Sequence, residues 1–74
     1  MNTKQLIIMA NQIGDFFVAY PDAEQAQRDI AEHLKKFWAK QMRVQLKAHL
    51  DQTADSGLHP LVEAAIKNHQ QVFV

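Results

Sequence analysis

Apolar side chains recur three or four positions apart along almost the whole chain, and no segment alternates apolar and polar residues as a β-strand would. Turn-forming residues interrupt this pattern at Tyr20-Pro21-Asp22 and again at residues 55–60. The pattern predicts helices at about residues 3–19, 22–37, 40–53 and 60–70. Together they predict one all-α domain over residues 1–74, a compact bundle of three to four helices.

The first predicted helix carries more apolar surface than so small a bundle can cover. Its predicted core stripe is Leu6, Met9, Ala10, Ile13, Phe16, Phe17 and Tyr20. Beside this stripe lies a second apolar strip of Ile7, Gly14 and Val18, and Ile8 points almost opposite the core. A surface helix of a monomer has a polar back. We therefore expect Ile7, Ile8 and Val18 to contact a partner.

The second and third predicted helices are separated by a bend. Asp22 is a predicted N-cap, and the second helix has the core stripe Ala26, Ile30, Leu34 and Phe37. The third has the stripe Met42, Leu46, His49 and Leu50. If the two helices were one straight helix, this stripe would be rotated by about 160° from the stripe of the second helix. Both stripes can face one core only if the chain bends at about residues 38–41. Trp38 lies off the stripe, where it either fills this bend or anchors an interface, a role in which Trp is enriched.

The fourth predicted helix begins near Pro60, a residue that suits a first helical turn. One face of this helix carries Leu58, Leu61, Val62, Ala65, Ile66 and His69. The apolar tail Val72-Phe73-Val74 either packs on a neighbour or frays.

Composition narrows the classes of function. The 74 residues are 47% hydrophobic and 22% charged, a balance typical of a folded chain rather than a disordered one. Eight basic and eight acidic side chains give no net charge, which argues against a nucleic-acid binder. The chain has no long apolar run, no cysteine and no signal-peptide pattern, so we expect a cytoplasmic protein that does not enter a membrane.

Residues that could carry chemistry are few and scattered. The four histidines stand at least ten positions apart, unlike helical zinc ligands. Ser56 is the only serine, there is no cysteine, and two glycines cannot form a phosphate-binding loop. We therefore expect no catalytic residue, no metal ligand and no bound cofactor.

A basic stripe on the third predicted helix consists of Lys40, Arg43 and Lys47. Such a stripe is most simply a solvated face. It is also compatible with an edge that docks an acidic partner, the phosphates of a nucleotide-like cofactor, or DNA. We expect Trp38 at the bend to contact the partner and these three residues to form a polar rim of the contact surface.

Several segments together resemble a known family. They are Met9–Phe17 (MANQIGDFF), Pro21-Asp22, Ile30–Leu34 (IAEHL), Phe37-Trp38, Met42-Arg43, Leu46 and Leu58–Ala65 (LHPLVEAA). In this order and spacing they resemble the delta subunit of NAD-dependent, molybdenum-containing formate dehydrogenases. The family's Phe-Trp pair is usually followed by Asp-Pro-Arg-Met, whereas this chain has Ala39-Lys40-Gln41-Met42. Since Asp would cap and Pro would start a helix, one long, bent helix is the alternative to two separate ones.

The resemblance implies a non-catalytic subunit that binds the large, molybdenum-bearing subunit and stabilises it or assists its assembly. Two alternatives remain open at this point: a transient maturation factor for the molybdenum cofactor, and a small helical DNA-binding regulator. Without its partner the chain is expected to hide its apolar strip by forming a homodimer. Substituting Ile8→Asp is expected to leave the fold intact and to weaken association with the large subunit.

Overall fold

Four α-helices and a short C-terminal 3-10 helix make up the fold. The computed structural model describes residues 2–74, with four α-helices: α1 (Thr3–Phe17), α2 (Ala23–Phe37), α3 (Lys40–Gln52) and α4 (Pro60–Asn68). A 3-10 helix, Gln70–Phe73, ends the chain. The described residues form no strand, so the expected all-α bundle is confirmed.

Side chains cap three of the four helices at their N-termini. The Asn2 side chain accepts from the Gln5 backbone N–H, and the Asp22 carboxylate accepts from Glu24 and Gln25. Nδ1 of His59 accepts from Leu61 directly before α4, which Pro60 opens. The predicted cap at Asp22 is thus confirmed, while the cap from His59 had no signal in the sequence pattern.

The chain breaks between α2 and α3, and the alternative of one long helix is wrong. Trp38 and Ala39 both have extended backbone, with ψ near 140° and 148°. Ala39 offers α3 no side-chain cap. Two separate helices therefore form even without the family's Asp-Pro pair.

The helices pack so that α2 lies mainly against α4 and α1 lies against α3. The 3-10 helix sits against α2, α3 and α4 and closes one end of the bundle. Its Phe73 is buried in the core, so the tail packs on its own chain and does not fray. The core consists of Leu6, Ala10, Phe17, Ala26, Ile30, Leu34, Trp38, Leu46, Leu50, Leu58, Val62, Ala65, Ile66 and Phe73.

Four predicted core or surface assignments are wrong. Phe16, Tyr20 and Phe37 were expected in the core, yet all three are exposed. Phe16 lies at the edge of its stripe and Tyr20 lies beyond the end of α1, so no helix covers them. Gly14, expected on the surface strip, is buried because α4 crosses α1 there.

Phe37 and Trp38, adjacent in the chain, differ sharply in burial. Trp38 is only 7% exposed, whereas Phe37, the last residue of α2, is 72% exposed. A helical wheel advances about 100° per residue only while the backbone is helical. Because Trp38 is the first extended residue after α2, its side chain leaves the wheel and turns into the core.

Candidate partner-binding surface

An open apolar groove runs between α1 and the C-terminal end of α2. It has a volume of about 480 Å³, and its lining is Met9, Gln12, Ile13, Phe16, Phe17, His33 and Trp38. Gln12 and His33 are the polar members of this set. We call this set the aromatic groove. Its composition suits an apolar side chain of another polypeptide better than a charged ligand.

Aromatic rings form a continuous ridge beside the groove. The Phe17 ring centre lies 5.1 Å from that of Phe16 and 5.0 Å from that of Tyr20, both edge to face. His33 stands 6.4 Å from Phe17 and 4.8 Å from Phe37, and so links α1 to the end of α2. Aromatic pairs of this kind contribute about 0.5–1.5 kcal/mol beyond the burial of their area, which favours this arrangement of the ridge.

A smaller pocket of about 220 Å³ opens on the other side of this ridge. Its lining is Phe17, Tyr20, Asp29, Glu32, His33, Lys36 and Phe37. We call it the acidic pocket, since two carboxylates face one ammonium group there. Phe17 and His33 are shared by the pocket and the groove, so the two form neighbouring parts of one surface.

Two phenylalanines at this surface are left in water to an unusual extent. Phe16 is 69% exposed and Phe37 is 72% exposed. Burying a Phe side chain contributes about 1.5–3 kcal/mol relative to leaving it exposed. Two such rings flanking an apolar groove are typical of a protein–protein contact.

The three apolar contacts expected on the first helix are only partly accessible. Ile8 is 51% exposed and Val18 is 58% exposed, so both are free to meet a partner. Ile7 is half-buried, packs against the core and approaches the loop at Gly57. None of the three lines the aromatic groove.

Of the three expected basic contacts, Arg43 instead holds the fold together. Its guanidinium donates to the carbonyls of Lys35 at 3.0 Å, Trp38 at 2.8 Å and Val72 at 2.9 Å. These bonds satisfy free carbonyls at the C-terminus of α2 and tie down the tail. The expected role of Arg43 at a partner rim is therefore not supported by its position.

Lys47 and Lys40 differ in their surroundings. The Lys47 ammonium forms an ion pair with Asp51 at 2.6 Å, one helical turn further along α3. Lys40 begins α3 and is exposed. Lys40 is thus the expected rim residue whose position best fits a docking role, although it lies outside the aromatic groove.

Trp38 is not an exposed interface anchor. It belongs to the core and is only 7% exposed, although it also lines the groove. Trp38 therefore fills the bend between α2 and α3, the first of the two roles the sequence allowed.

Polar clusters elsewhere serve the loop between α3 and α4. The Asn11 side chain donates to the Gly57 carbonyl and accepts from the His59 backbone N–H, which fastens this loop to α1. Ser56 Oγ donates to Glu63, and His49 Nε2 contacts the Ser56 backbone carbonyl rather than the hydroxyl. This geometry holds a loop and does not activate Ser56 as a nucleophile.

Residues 2–74 contain no group of three His, Cys, Asp or Glu side chains placed to hold a metal ion. Over the same residues, no helix has both the length and the hydropathy needed to span a bilayer.

The sequence pattern placed the excess apolar surface on α1 but missed its centre. Phe16 and Phe37 were assigned to the core because both fall on apolar stripes. The exposure of Phe37 could have been predicted from its position at the end of a predicted helix. An apolar side chain there can lie beyond the neighbouring helices that would bury it. Nothing in the sequence indicated that rings from two helices would stack through His33.

Comparisons with known proteins bear on the family. No match is found among curated proteins or among solved structures. A family model described as "NADH-dependant formate dehydrogenase delta subunit FdsD" matches residues 5–66. This range includes most of α1, all of α2 and α3, the loop that follows α3, and most of α4. Since the match spans far more than half of the chain, this protein belongs to the delta subunit family of NADH-dependent formate dehydrogenases.

Proposed function

We propose that this chain is a non-catalytic subunit that binds the large, molybdenum-bearing subunit of an NAD-dependent formate dehydrogenase and stabilises it or assists its assembly. The observation that carries the proposal is the aromatic groove flanked by the exposed rings of Phe16 and Phe37. Family membership supplies the identity of the complex.

The exposed apolar surface of the chain supports this proposal. Large apolar side chains remain exposed at Ile8, Phe16, Val18, Tyr20, Phe37, Val44 and Val74. A chain of this size buries only about 60% of the surface that its unfolded form exposes. Docking on a larger subunit would remove the groove and its flanking rings from water, and mass action would then stabilise this small fold.

The docking surface proposed here is centred on the groove, with Ile8, Val18 and Lys40 as outer contacts. Of the set expected from the sequence, these three are exposed. Ile7, Trp38, Arg43 and Lys47 have packing or bonding roles within this chain.

Co-purification tests the proposal against that of a transient maturation factor. The enzyme complex is expressed with an affinity tag on the large subunit, with and without the gene for this chain. We expect this chain to remain at a fixed ratio to the large subunit after purification. We also expect its absence to lower the yield, the molybdenum content and the formate oxidation of the complex.

Two other results are informative. If molybdenum content falls without this chain but the chain never co-purifies, it acts transiently during maturation. If the chain does not co-purify and its absence changes neither quantity, the proposed function is wrong.

A further inference from the structure

The acidic pocket contains a carboxylate that the fold does not use. Among residues 2–74 no hydrogen bond or ion pair involves the Glu32 side chain. Its neighbour Asp29 accepts one bond, from the Gln25 side chain at 3.0 Å. Of the other carboxylates, Asp22 caps α2, Asp51 pairs with Lys47 and Glu63 accepts from Ser56. Among residues 2–74 the side chains of Glu24 and Asp55 also lack a partner, but neither lines the acidic pocket.

The one lysine of the acidic pocket does not neutralise the charge of its two carboxylates. Lys36 lies one turn after Glu32 on α2, where such a pair could form, yet their charged atoms lie beyond 4.0 Å. Two carboxylates and one ammonium therefore line the pocket. A positive group from outside would improve this balance.

The rings around these carboxylates restrict the kind of positive group. Phe17, Tyr20 and Phe37 line the same pocket. A cation over an aromatic face is attracted by the ring's quadrupole. Arginine suits such a place better than lysine, because its flat guanidinium stacks on rings and donates a two-pronged bond to a carboxylate.

Resting on the function proposed above, we propose that the segment of the large subunit that docks here carries an arginine beside an apolar side chain. The apolar side chain occupies the aromatic groove. The arginine enters the acidic pocket across the Phe17–His33 ridge, where it contacts Glu32 and the face of Phe37.

A second copy of this chain is a poor source for that arginine. The sequence contains two arginines, Arg28 and Arg43. Arg43 is held by backbone carbonyls of its own chain. Arg28 donates to Gln25 at 2.7 Å from a helix face that also lines a polar cleft, away from the aromatic groove. Because neither arginine of this chain is well placed to enter the acidic pocket of a second copy, a different polypeptide is the better source.

Binding of the full chain to the purified large subunit tests this proposal, measured at about 50 and about 300 mM salt because exposed charges are screened as salt rises. The variants are Glu32→Lys, Glu32→Gln and Phe37→Leu. Asp55→Lys is the matched control, since Asp55 is exposed and lies on the loop before α4. Circular dichroism confirms that each variant is folded.

At low salt we expect Glu32→Lys to weaken binding by about tenfold, and Glu32→Gln by about threefold with a shallower dependence on salt. Phe37→Leu keeps an apolar side chain but removes the ring face, and is expected to cost about threefold. Asp55→Lys should bind as the unmodified chain does, which excludes an effect of net charge alone.

The proposal is overturned if Glu32→Lys binds as well as the unmodified chain or better; tighter binding would mean an acidic partner segment. It is also overturned if Glu32→Lys abolishes self-association of the isolated chain but leaves binding to the large subunit unchanged, since the occupant is then a second copy. An unmodified chain that does not bind the large subunit at either salt concentration contradicts the proposed function itself.

Discussion

At the scale of single residues, two positions hold the elements together, one by close packing and one by hydrogen bonds. Gly14 lies where α1 crosses α4, and a Cβ atom placed there would stand 2.8 Å from Val62 Cγ2 and 3.1 Å from His59 Cγ. Val62 is fully buried, so it has little room to move. The glycine therefore allows the two helices to pack at short range.

Substituting Gly14→Ala is expected to destabilise the fold. Overpacking costs about 1–3 kcal/mol, while better helix propensity returns about 1 kcal/mol. We expect a net loss in the free energy of unfolding, measured by urea denaturation. Shortening the neighbour with Val62→Ala should cost less in the Gly14→Ala background than alone, because the extra methyl then fills space. Strict additivity would show that the two side chains do not meet.

Arg43 is the second such position, because one side chain joins α2, the bend and the tail. Lysine carries the same charge but cannot reproduce this fork of donors. We expect Arg43→Lys to lower the free energy of unfolding by about 2 kcal/mol. Unfolding is measured by the fluorescence of Trp38, the only tryptophan in the sequence. The control Lys47→Met removes an exposed pair and should cost less than about 0.5 kcal/mol. Equal effects of the two would argue against the capping role.

At the scale of elements, apolar periodicity located the four helices because each has a stripe that must be buried. It could not place residues at element ends. Phe37 was wrongly assigned to the core and Trp38 was left with two possible roles, because the backbone changes from helical to extended between them. Phe73 entered the core through a tail too short to show any period. The candidate site was not predicted for the same reason, because its exposed rings lie at the ends of α1 and α2.

The C-terminal 3-10 helix is expected to be essential to the fold, although it lies outside the residues 5–66 that define the family match. Phe73 is fully buried. We expect Phe73→Ala to destabilise the chain by about 3–5 kcal/mol, a large part of the stability of a small domain. Val74→Ala, at an exposed neighbour, should change stability by less than about 0.5 kcal/mol. A thermal melt of both variants distinguishes a core tail from a dispensable one.

At the scale of the whole molecule, the bundle satisfies its polar groups but not its apolar ones. No buried side-chain nitrogen or oxygen of residues 2–74 is left without a hydrogen bond. Yet large apolar side chains remain exposed on α1 and at the end of α2. The fold is therefore complete in hydrogen bonding and incomplete in burial, which is typical of a subunit rather than of a protein that acts alone.

Ile8→Asp tests how far the docking surface extends around α1. Ile8 is half-exposed, so its replacement should leave the melting temperature nearly unchanged. We expect weaker association with the large subunit, measured by pull-down, but a smaller loss than from a change within the groove. Full retention of binding would confine the docking surface to the groove side of α1, and an unfolded variant would mean that Ile8 is needed in the core.

The most direct test of the account compares the affinity of two variants for the large subunit. Phe16→Asp combined with Phe37→Asp replaces both exposed rings with carboxylates. Val44→Asp introduces one carboxylate in place of an exposed valine of α3 outside the groove. Interface hot spots contribute at least about 2 kcal/mol each. We predict that the double variant stays folded and loses more than about 100-fold in affinity, whereas Val44→Asp stays within about threefold of the unmodified chain. Unchanged affinity of a folded double variant would contradict docking through the aromatic groove.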